Sequence, residues 1–273
     1  MGKLTTARML TYAAALFAVF LWFVPLLWMV LVSIKPPGTP VDDVAGLFRP
    51  PFTFENLDAV LSSSQLWRWL FNSMVVSTTT TVGILVLTSL AAYSLSALRF
   101  RGKNLVYWLI IAGMMVPVEA IIIPLYMMMN DLGQIDTYAG LILPGLAAPL
   151  GVILLKQFFD AIPKDLIDAA RMDGAGALRI YFDVFLPLSK SSMAALAIFT
   201  FLSSWNSFLW PYLSIISEEM MTLPIGVPLF QSGYSMELTR PMAANFLASV
   251  PVIIVFILFQ RHIIKGVTMT GIK

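Results

Sequence analysis

The chain has 273 residues, of which 59% are apolar and only 12% charged, with a formal net charge of +2. Soluble domains carry about 25% charged residues, so this composition excludes an ordinary water-exposed surface. The absence of cysteine excludes disulfides and thiolate chemistry, the single histidine excludes a histidine metal cluster, and the low net charge argues against a nucleic-acid partner.

Long uncharged runs predict six membrane-spanning helices. About 20 apolar residues in a helix cross the hydrocarbon core, and backbone groups in lipid must hydrogen-bond internally. In chain order, the predicted spans are residues 10–34, 71–97, 104–129, 138–159, 191–216 and 241–261. The first run is too long for the apolar core of a signal peptide, so we expect it to be retained. The predicted fold class is therefore an all-α membrane protein with six transmembrane helices.

The distribution of positive charge predicts the orientation of these spans. Of the 17 lysines and arginines, only Lys35, Arg49, Arg68 and Arg240 fall on one side. The positive-inside rule places the other side, with both chain ends, in the cytoplasm.

The predicted spans divide the chain into two parts. Residues 1–70 hold the first span and an external segment, and residues 71–273 hold the remaining five spans. Residues 217–240 form a further external loop. Asp136 or Thr137 is expected to cap the N-terminus of the fourth span.

The cytoplasmic segment 160–190, between spans 4 and 5, predicts two short helices joined at a glycine elbow. Asp165 and Asp168 have the spacing of a capping box, the first helix should end at Met172, and Gly174 suits the positive φ that follows. A second helix should run from near Ala175 to about Pro187. Its predicted buried face has a helical period and consists of Leu178, Tyr181, Phe182, Phe185 and Leu186.

The pattern alone leaves two interpretations of this segment open. The helix pair either lies on its own bundle at the membrane interface or presents a surface to another protein. Ala169 and Ala170 would let such a partner approach closely.

Polar residues deep in three spans suggest a translocation path. Glu119, Asn206 and Asn245 each lie about 24 Å from the cytoplasmic charge layer, at 1.5 Å per helical residue. Trp205 and Trp210 flank Asn206, and aromatic planes beside an amide suit a sugar. The alternative is that the two asparagines hydrogen-bond between helices and that Glu119 is an interfacial acid.

Rival function classes lack the residues that they need. A secondary transporter would require paired intramembrane carboxylates, and only Glu119 lies deep in a span. A membrane-embedded enzyme would require clustered catalytic side chains, and a structural scaffold would not need the glycine elbow.

Specific motifs connect the chain to a known family. Residues 168–175 read DAARMDGA and resemble the EAA loop of permease subunits of binding-protein-dependent ABC importers, and residues 186–189, LPLS, fit the same pattern. Residues 204–211, SWNSFLWP, and Gln260-Arg261 are similar to the MalG-like carbohydrate (CUT1) branch, which has a MetI-like transmembrane domain. Asp168 departs from the glutamate that is usual in this family, so the reach of any long ion pair there is in doubt.

The resemblance implies a role as a non-catalytic permease subunit that imports a sugar or oligosaccharide. A glycerol-phosphate or an amino sugar is the alternative substrate. The residues implied to couple the chain to a cytoplasmic ATPase dimer are Asp168, Ala169, Ala170, Asp173, Gly174 and Ala175. The chain itself would bind no cofactor, because ATP and magnesium would belong to the ATPase.

The implied assembly lies in a prokaryotic cytoplasmic membrane. A second, homologous permease subunit would complete the pore. An extracytoplasmic binding protein would deliver the substrate, and we expect it to touch loop 217–240.

Overall fold

A computed structural model describes residues 6–231 and 237–270 of the protein, with side chains for residues 8–231 and 237–258. The described residues form helices and connecting turns without any strand, so the all-α prediction is confirmed. The α-helices are α1 (Thr6–Ser33), α2 (Val44–Leu47), α3 (Glu55–Leu61), α4 (Ser64–Ala97), α5 (Lys103–Met114), α6 (Val118–Asp131), α7 (Tyr138–Ile142), α8 (Pro149–Asp160), α9 (Lys164–Met172), α10 (Ala177–Ile180), α11 (Leu186–Leu188), α12 (Lys190–Trp205), α13 (Leu209–Ser214), α14 (Leu223–Gly226) and α15 (Thr239–Thr270).

The fold consists of two compact units. The first contains the chain up to Trp67 together with Gly226–Val250, and the second contains Arg68–Ile225 and the chain from Pro251 onward. The first break lies near the predicted division at residue 70. The return of residues 226–250 to the first unit was not predicted, because it depends on contacts between segments far apart in sequence.

A buried lysine organises the segment after α1 in the first unit. The Lys35 side chain is 2% exposed, and its ammonium donates to the carbonyl of Gly46 at 2.9 Å and to that of Arg49. The Phe52 ring centroid lies 4.4 Å from the same nitrogen. Carbonyl oxygens and an aromatic face replace the water that a buried ammonium loses.

Asn56 joins three parts of the first unit. Its side-chain nitrogen donates to the carbonyls of Lys35 at 2.6 Å and Ser33 at 3.4 Å, and its oxygen accepts a hydrogen bond from the Thr239 hydroxyl at 3.3 Å. The start of α15 is thereby tied to the end of α1.

Three described helical stretches are individually long and apolar enough to cross a membrane: Arg8–Ser33, Ser64–Ala97 and Thr239–Leu258. Three further pairs meet this test together but bend sharply at a break. They are Lys103–Met114 with Val118–Asp131 at 99°, Tyr138–Leu146 with Pro149–Asp160 at 45°, and Ala177–Leu188 with Lys190–Trp205 at 77°.

The expectation that residues 104–129, 138–159 and 191–216 each form one helix is therefore wrong. Pro117 precedes α6 with an extended backbone, and Pro149 opens α8 and has no N–H to continue the preceding turn. The third stretch is interrupted where α12 ends at Trp205 and α13 begins at Leu209. By contrast, Pro25 and Pro251 are accommodated within continuous helices.

Within the second unit, α4 packs closely against α8 because a glycine faces it. A Cβ at Gly151 would lie 3.0 Å from the Thr88 methyl group and 3.4 Å from a Leu196 methyl group. Small residues of this kind allow helices in a membrane to approach and gain dispersion energy.

Candidate functional site: the EAA-type loop

The EAA-type loop, residues 160–190, contains the predicted glycine elbow. Helix α9 ends at Met172, and Gly174 has a φ of 78°. The Ala175 amide donates to the Ala170 carbonyl at 2.9 Å, and the Gly174 amide donates to the Arg171 carbonyl at 3.0 Å. These two bonds define a Schellman motif, which satisfies the last carbonyls of the helix. The Asp-Gly-Ala sequence is thus a helix stop, as predicted.

The start of α9 differs from the prediction. The N-cap residue is Pro163, with no side-chain cap, and Asp165 lies in the first turn. Asp168 accepts a hydrogen bond from Arg171 at 3.2 Å, with both side chains more than half exposed. The capping-box prediction is therefore wrong, because Pro163 begins the helix earlier than the Asp165 spacing indicated. Asp165 still interacts favourably with the positive end of the helix.

Helix α9 has one packed side and one open side. Ile167 and Ala170 pack against the hydrophobic core of the second unit, as does Ala175 just beyond the elbow. On the other side, Leu166 and Met172 are 46% and 85% exposed, and Ala169 is exposed between them. Exposed apolar side chains spaced three residues apart leave a surface available for a partner.

The second helix of the loop buries only part of the predicted face, since Tyr181 and Phe185 are buried and Leu186 packs against the core. It begins at Ala177 and includes a π-helical turn at Tyr181–Phe185. Ile180, Tyr181 and Phe185 are buried, whereas Leu178 and Phe182 are 68% and 58% exposed. The wider π turn adds a residue to the repeat and rotates the apolar face, which a period of 3.6 residues could not anticipate.

This second helix is fixed to α4 by one buried and one partly buried hydrogen bond. The Tyr93 hydroxyl donates to the Ala177 carbonyl at 2.7 Å, and the hydroxyls of Ser89 and Tyr181 lie 2.7 Å apart. The Tyr93 and Phe185 rings meet edge-to-face with centroids 4.9 Å apart. No local pattern predicts these contacts, because the residues that make them are more than 80 positions apart.

Glu119 and Asn206, two of the residues predicted for a translocation path, share no hydrogen bond in the described structure. Glu119 is exposed in the first turn of α6, directly after the 99° bend. Its predicted depth assumed one continuous helix from Lys103, and the bend invalidates that count.

Asn206, directly after α12, hydrogen-bonds back to that helix, and Asn245 hydrogen-bonds within α15. Asn206 donates to the Leu202 carbonyl at 2.8 Å, and Asn245 donates to the Pro241 carbonyl at 2.9 Å. Both residues are exposed. The hydrogen bonds described for these two side chains therefore do not join different helices, which was the alternative prediction.

The two tryptophans beside Asn206 have separate environments. Trp205 is 3% exposed and stacks on Phe201 with centroids 5.6 Å apart. Trp210 donates from its indole nitrogen to the Gly140 carbonyl at 2.9 Å and fastens α13 to α7. In this arrangement the two rings serve packing.

Gln260 and Arg261 lie outside the residues whose side chains are described.

Sequence reasoning missed the role of Asp136, which it treated only as a possible cap. Thr137 is the cap of α7 and accepts from the Gly140 amide at 3.0 Å. Asp136 instead accepts from the amides of Ile216 and Ser217, each at 3.1 Å, and from the Ser217 hydroxyl at 3.0 Å. Burial raises the pKa of Asp136, but these three donors outweigh it and hold the pKa below its usual value.

A second polar cluster fastens the following residues to the start of α4. Asn72 donates to the carbonyls of Glu219 and Met221, both at 2.8 Å, and accepts from the Tyr138 hydroxyl at 2.6 Å. The Ser73 hydroxyl accepts from the Leu223 amide at 2.8 Å. The first part of the predicted loop 217–240, up to Leu223, is thus held in place.

One face of α4 also carries buried hydroxyls that were not predicted. Ser77, Thr80 and Thr81 are at most 7% exposed, and their hydroxyls have no hydrogen-bond partner in the described part of the chain. The run of serine and threonine at 77–81 is the signal that could have identified them.

Comparison with known proteins identifies the class. Residues 84–269 match the family described as binding-protein-dependent transport system inner membrane component. The chain is 36% identical over 256 residues to the arabinooligosaccharides transport system permease protein AraQ of Bacillus subtilis (strain 168), covering 93% of this chain and 91% of that protein. It is 35% identical over 249 residues to the sn-glycerol-3-phosphate transport system permease protein UgpE of Yersinia enterocolitica, covering 88% and 89%. The chain belongs to this family of membrane permease components.

Solved structures support the same conclusion. A chain of a bacterial ABC transporter involved in the import of the acidic polysaccharide alginate superposes with a TM-score of 0.82 and 26% identity, covering 96% of this chain and 99% of that one. A chain of an alginate transporter in complex with an alginate pentasaccharide-bound periplasmic protein shares the fold, with a TM-score of 0.63 and 14% identity. The resemblance found in the sequence motifs is confirmed.

Proposed function

We propose that this chain is one of two permease subunits of an ATP-driven importer that carries a sugar or oligosaccharide into the cytoplasm. The observation that carries the proposal is the EAA-type loop, in which a Schellman elbow ends a short helix with one packed and one open side. A permease that is moved by a separate motor needs a rigid, accessible element of this kind.

The substrate class is inferred from the relatives. AraQ is named for arabinooligosaccharides, and one similar structure is named for alginate import. A glycerol-phosphate is the second candidate, because UgpE, named for sn-glycerol-3-phosphate, is similar over most of both chains.

The proposed arrangement has six spans, formed by α1, α4, α5 with α6, α7 with α8, α12 with α13, and α15, with both chain ends in the cytoplasm of a prokaryotic cell. The excess of lysine and arginine on the side that includes the EAA-type loop supports this orientation. A cytoplasmic ATPase dimer would bind ATP and magnesium, and this chain would bind no cofactor.

In the proposed mechanism, the EAA-type loop transmits movement of the ATPase to the membrane-spanning helices. ATP binding closes the ATPase dimer and displaces the open side of α9. The permease pair then turns from an inward-facing to an outward-facing state, where a loaded binding protein releases its cargo. The segment 217–240 is proposed to touch that binding protein. The hydrogen bonds that Asp136 accepts and that Asn72 donates hold its first part in place.

Glu119, Asn206 and Asn245, with the neighbouring Trp205 and Trp210, remain the proposed border of the translocation path. Support comes from the exposure of the first three on apolar helices, where polar groups are costly unless they face a cavity or a protein partner.

Co-purification from native membranes tests the proposal. An affinity-tagged chain should retain an ATPase, a second permease and a binding protein, and labelled arabinooligosaccharide and sn-glycerol 3-phosphate should then be offered to the binding protein. Ala169→Trp, on the open side of α9, should remove the ATPase. Ala112→Trp, at an exposed position of α5, should not. Retention of the ATPase by Ala169→Trp would contradict the proposal.

A further inference from the structure

Two hydrogen bonds, one helical turn apart, join α4 to the second helix of the EAA-type loop. We call the Ser89–Tyr181 bond the first rung and the Tyr93–Ala177 bond the second rung. Ser89 and Tyr93 are four residues apart on α4, and their partners Tyr181 and Ala177 are four residues apart in the opposite chain direction. Residues with this spacing lie on one helical face, so the two rungs act on the same side of each helix.

The three hydroxyl-bearing side chains of the two rungs are buried, whereas Ala177, whose carbonyl is the acceptor of the second rung, is exposed. Ser89, Tyr93 and Tyr181 are each at most 4% exposed. A hydrogen bond in such a low-dielectric environment is strong, and a hydroxyl that loses its partner there has no water to replace it. Sliding or rotation of one helix against the other would therefore break both bonds at once.

Aromatic packing surrounds the rungs and favours the same register. The Tyr93 ring lies 5.3 Å from the Tyr181 ring and 4.9 Å from the Phe185 ring, and Phe185 meets Phe159 of α8 at 5.1 Å between centroids. The π turn at Tyr181–Phe185 is what brings both of these loop rings to the buried face.

We propose that Ser89 and Tyr93 are positioning residues that make the C-terminal half of α4 and the second helix of the EAA-type loop one rigid body. This inference rests on the proposed function. When the ATPase displaces the loop, α4 then moves with it by the same amount. The buried hydroxyls of Ser77, Thr80 and Thr81, which precede Ser89 on α4, would move as well.

The absence of cysteine makes a direct test possible. Spin labels are placed at Val82→Cys on α4 and Asp183→Cys in the loop, which are 55% and 62% exposed. The full importer, with cysteines in its partner subunits replaced, is held in lipid nanodiscs. The distance between labels is then measured without nucleotide and after trapping with Mg·ATP and vanadate.

With Ser89 and Tyr93 intact, the distance distribution should stay the same on trapping. In Ser89→Ala/Tyr93→Phe, which keeps the rings and removes both rungs, it should broaden and shift by about 2 Å, the scale of helix shifts at interfaces. Ser94→Ala is the matched control, because the Ser94 hydroxyl bonds only the Leu90 carbonyl of its own helix at 2.8 Å.

Tyr181→Phe provides a second variant for the first rung. Because it removes the same bond as Ser89→Ala, the two changes combined should have no more effect than either alone. An unchanged distance in Ser89→Ala/Tyr93→Phe, with ATPase bound and active, would overturn the inference and leave the proposed function intact. A parent complex that binds no ATPase would instead contradict the proposed function.

Discussion

Gly174 sets the angle of the EAA-type loop through its backbone conformation. Among the described residues, no atom outside the adjoining backbone lies within 4 Å of the position that a Cβ would take, so a Cβ there would meet no clash with them. The cost of a substitution is the strain of a φ of 78°, about 1–2 kcal/mol for most residues. Asparagine tolerates this region best, and β-branched residues tolerate it worst.

Gly174→Asn should therefore keep the elbow and the bound ATPase, whereas Gly174→Val should lose most of the bound ATPase. Co-purified ATPase per permease, measured by quantitative mass spectrometry, checks this. Gly176→Val is the control, because Gly176 has an extended backbone that any residue adopts. Equal retention by Gly174→Asn and Gly174→Val would show that the elbow conformation is dispensable.

Asp136 holds residues 216–217 through its charge. Asp136→Asn keeps the size of the side chain and its tolerance of the observed φ of 60°, but weakens three hydrogen bonds to a carboxylate. We expect the free energy of unfolding to fall by about 1 kcal/mol at neutral pH. The melting temperature of the detergent-solubilised protein measures this effect.

The pH dependence of the same pair has a definite sign. Because the folded-state pKa of Asp136 is lowered, its stabilisation is fully present above the unfolded-state pKa of about 3.9 and is lost as the pH falls through the folded value. The difference in melting temperature between Asp136→Asn and the parent protein should therefore be constant from neutral pH to about pH 5 and shrink below about pH 4. A difference that does not change with pH would mean that the carboxylate charge is not the cause.

At the scale of elements, two of the residues proposed for the path lie next to helix breaks. Glu119 follows the break before α6, and Asn206 follows the end of α12, so both exposed side chains stand where a span is interrupted. Glu119→Ala and Asn206→Ala should each reduce uptake about tenfold without loss of bound ATPase, as expected when a polar contact to a substrate is removed.

Uptake into proteoliposomes, measured alongside ATP hydrolysis, tests this pair. Ser203→Ala serves as the control, since Ser203 is also exposed near the end of α12. Normal uptake by the variant carrying both alanine changes would exclude the two residues from the path.

The elements also show what sequence could and could not reveal. The end of α9, the positive φ of Gly174 and the Thr137 cap were predictable, because each depends on a few consecutive residues. The bends at Pro117 and Pro149 were not, because Pro25 and Pro251 lie within unbroken helices. Whether a proline breaks a span depends on how neighbouring helices satisfy the freed carbonyls.

Contacts over long sequence distances account for the other missed features of the site. The tie between Asp136 and Ser217, and that between Ser89 and Tyr181, join residues 81 and 92 positions apart. Periodicity describes only one helix at a time, so it predicted a regular face at 178–186 where a π turn rotates the apolar side chains.

At the scale of the whole molecule, family and function agree with the composition. Apolar helices supply the spans, and the excess of lysine and arginine on one side predicts their orientation. In the proposed mechanism such a permease needs no catalytic residues, because it would convert movement of the EAA-type loop into movement of a gate.

Labelling of a single cysteine tests this account most directly. Ala169→Cys introduces one thiol into a chain that has none, on the open side of α9. A membrane-impermeant maleimide should modify it only in inside-out vesicles, and added ATPase subunit should protect it. Modification in intact, right-side-out cells, or full reactivity with the ATPase bound, would contradict the proposal that the open side of α9 binds the ATPase.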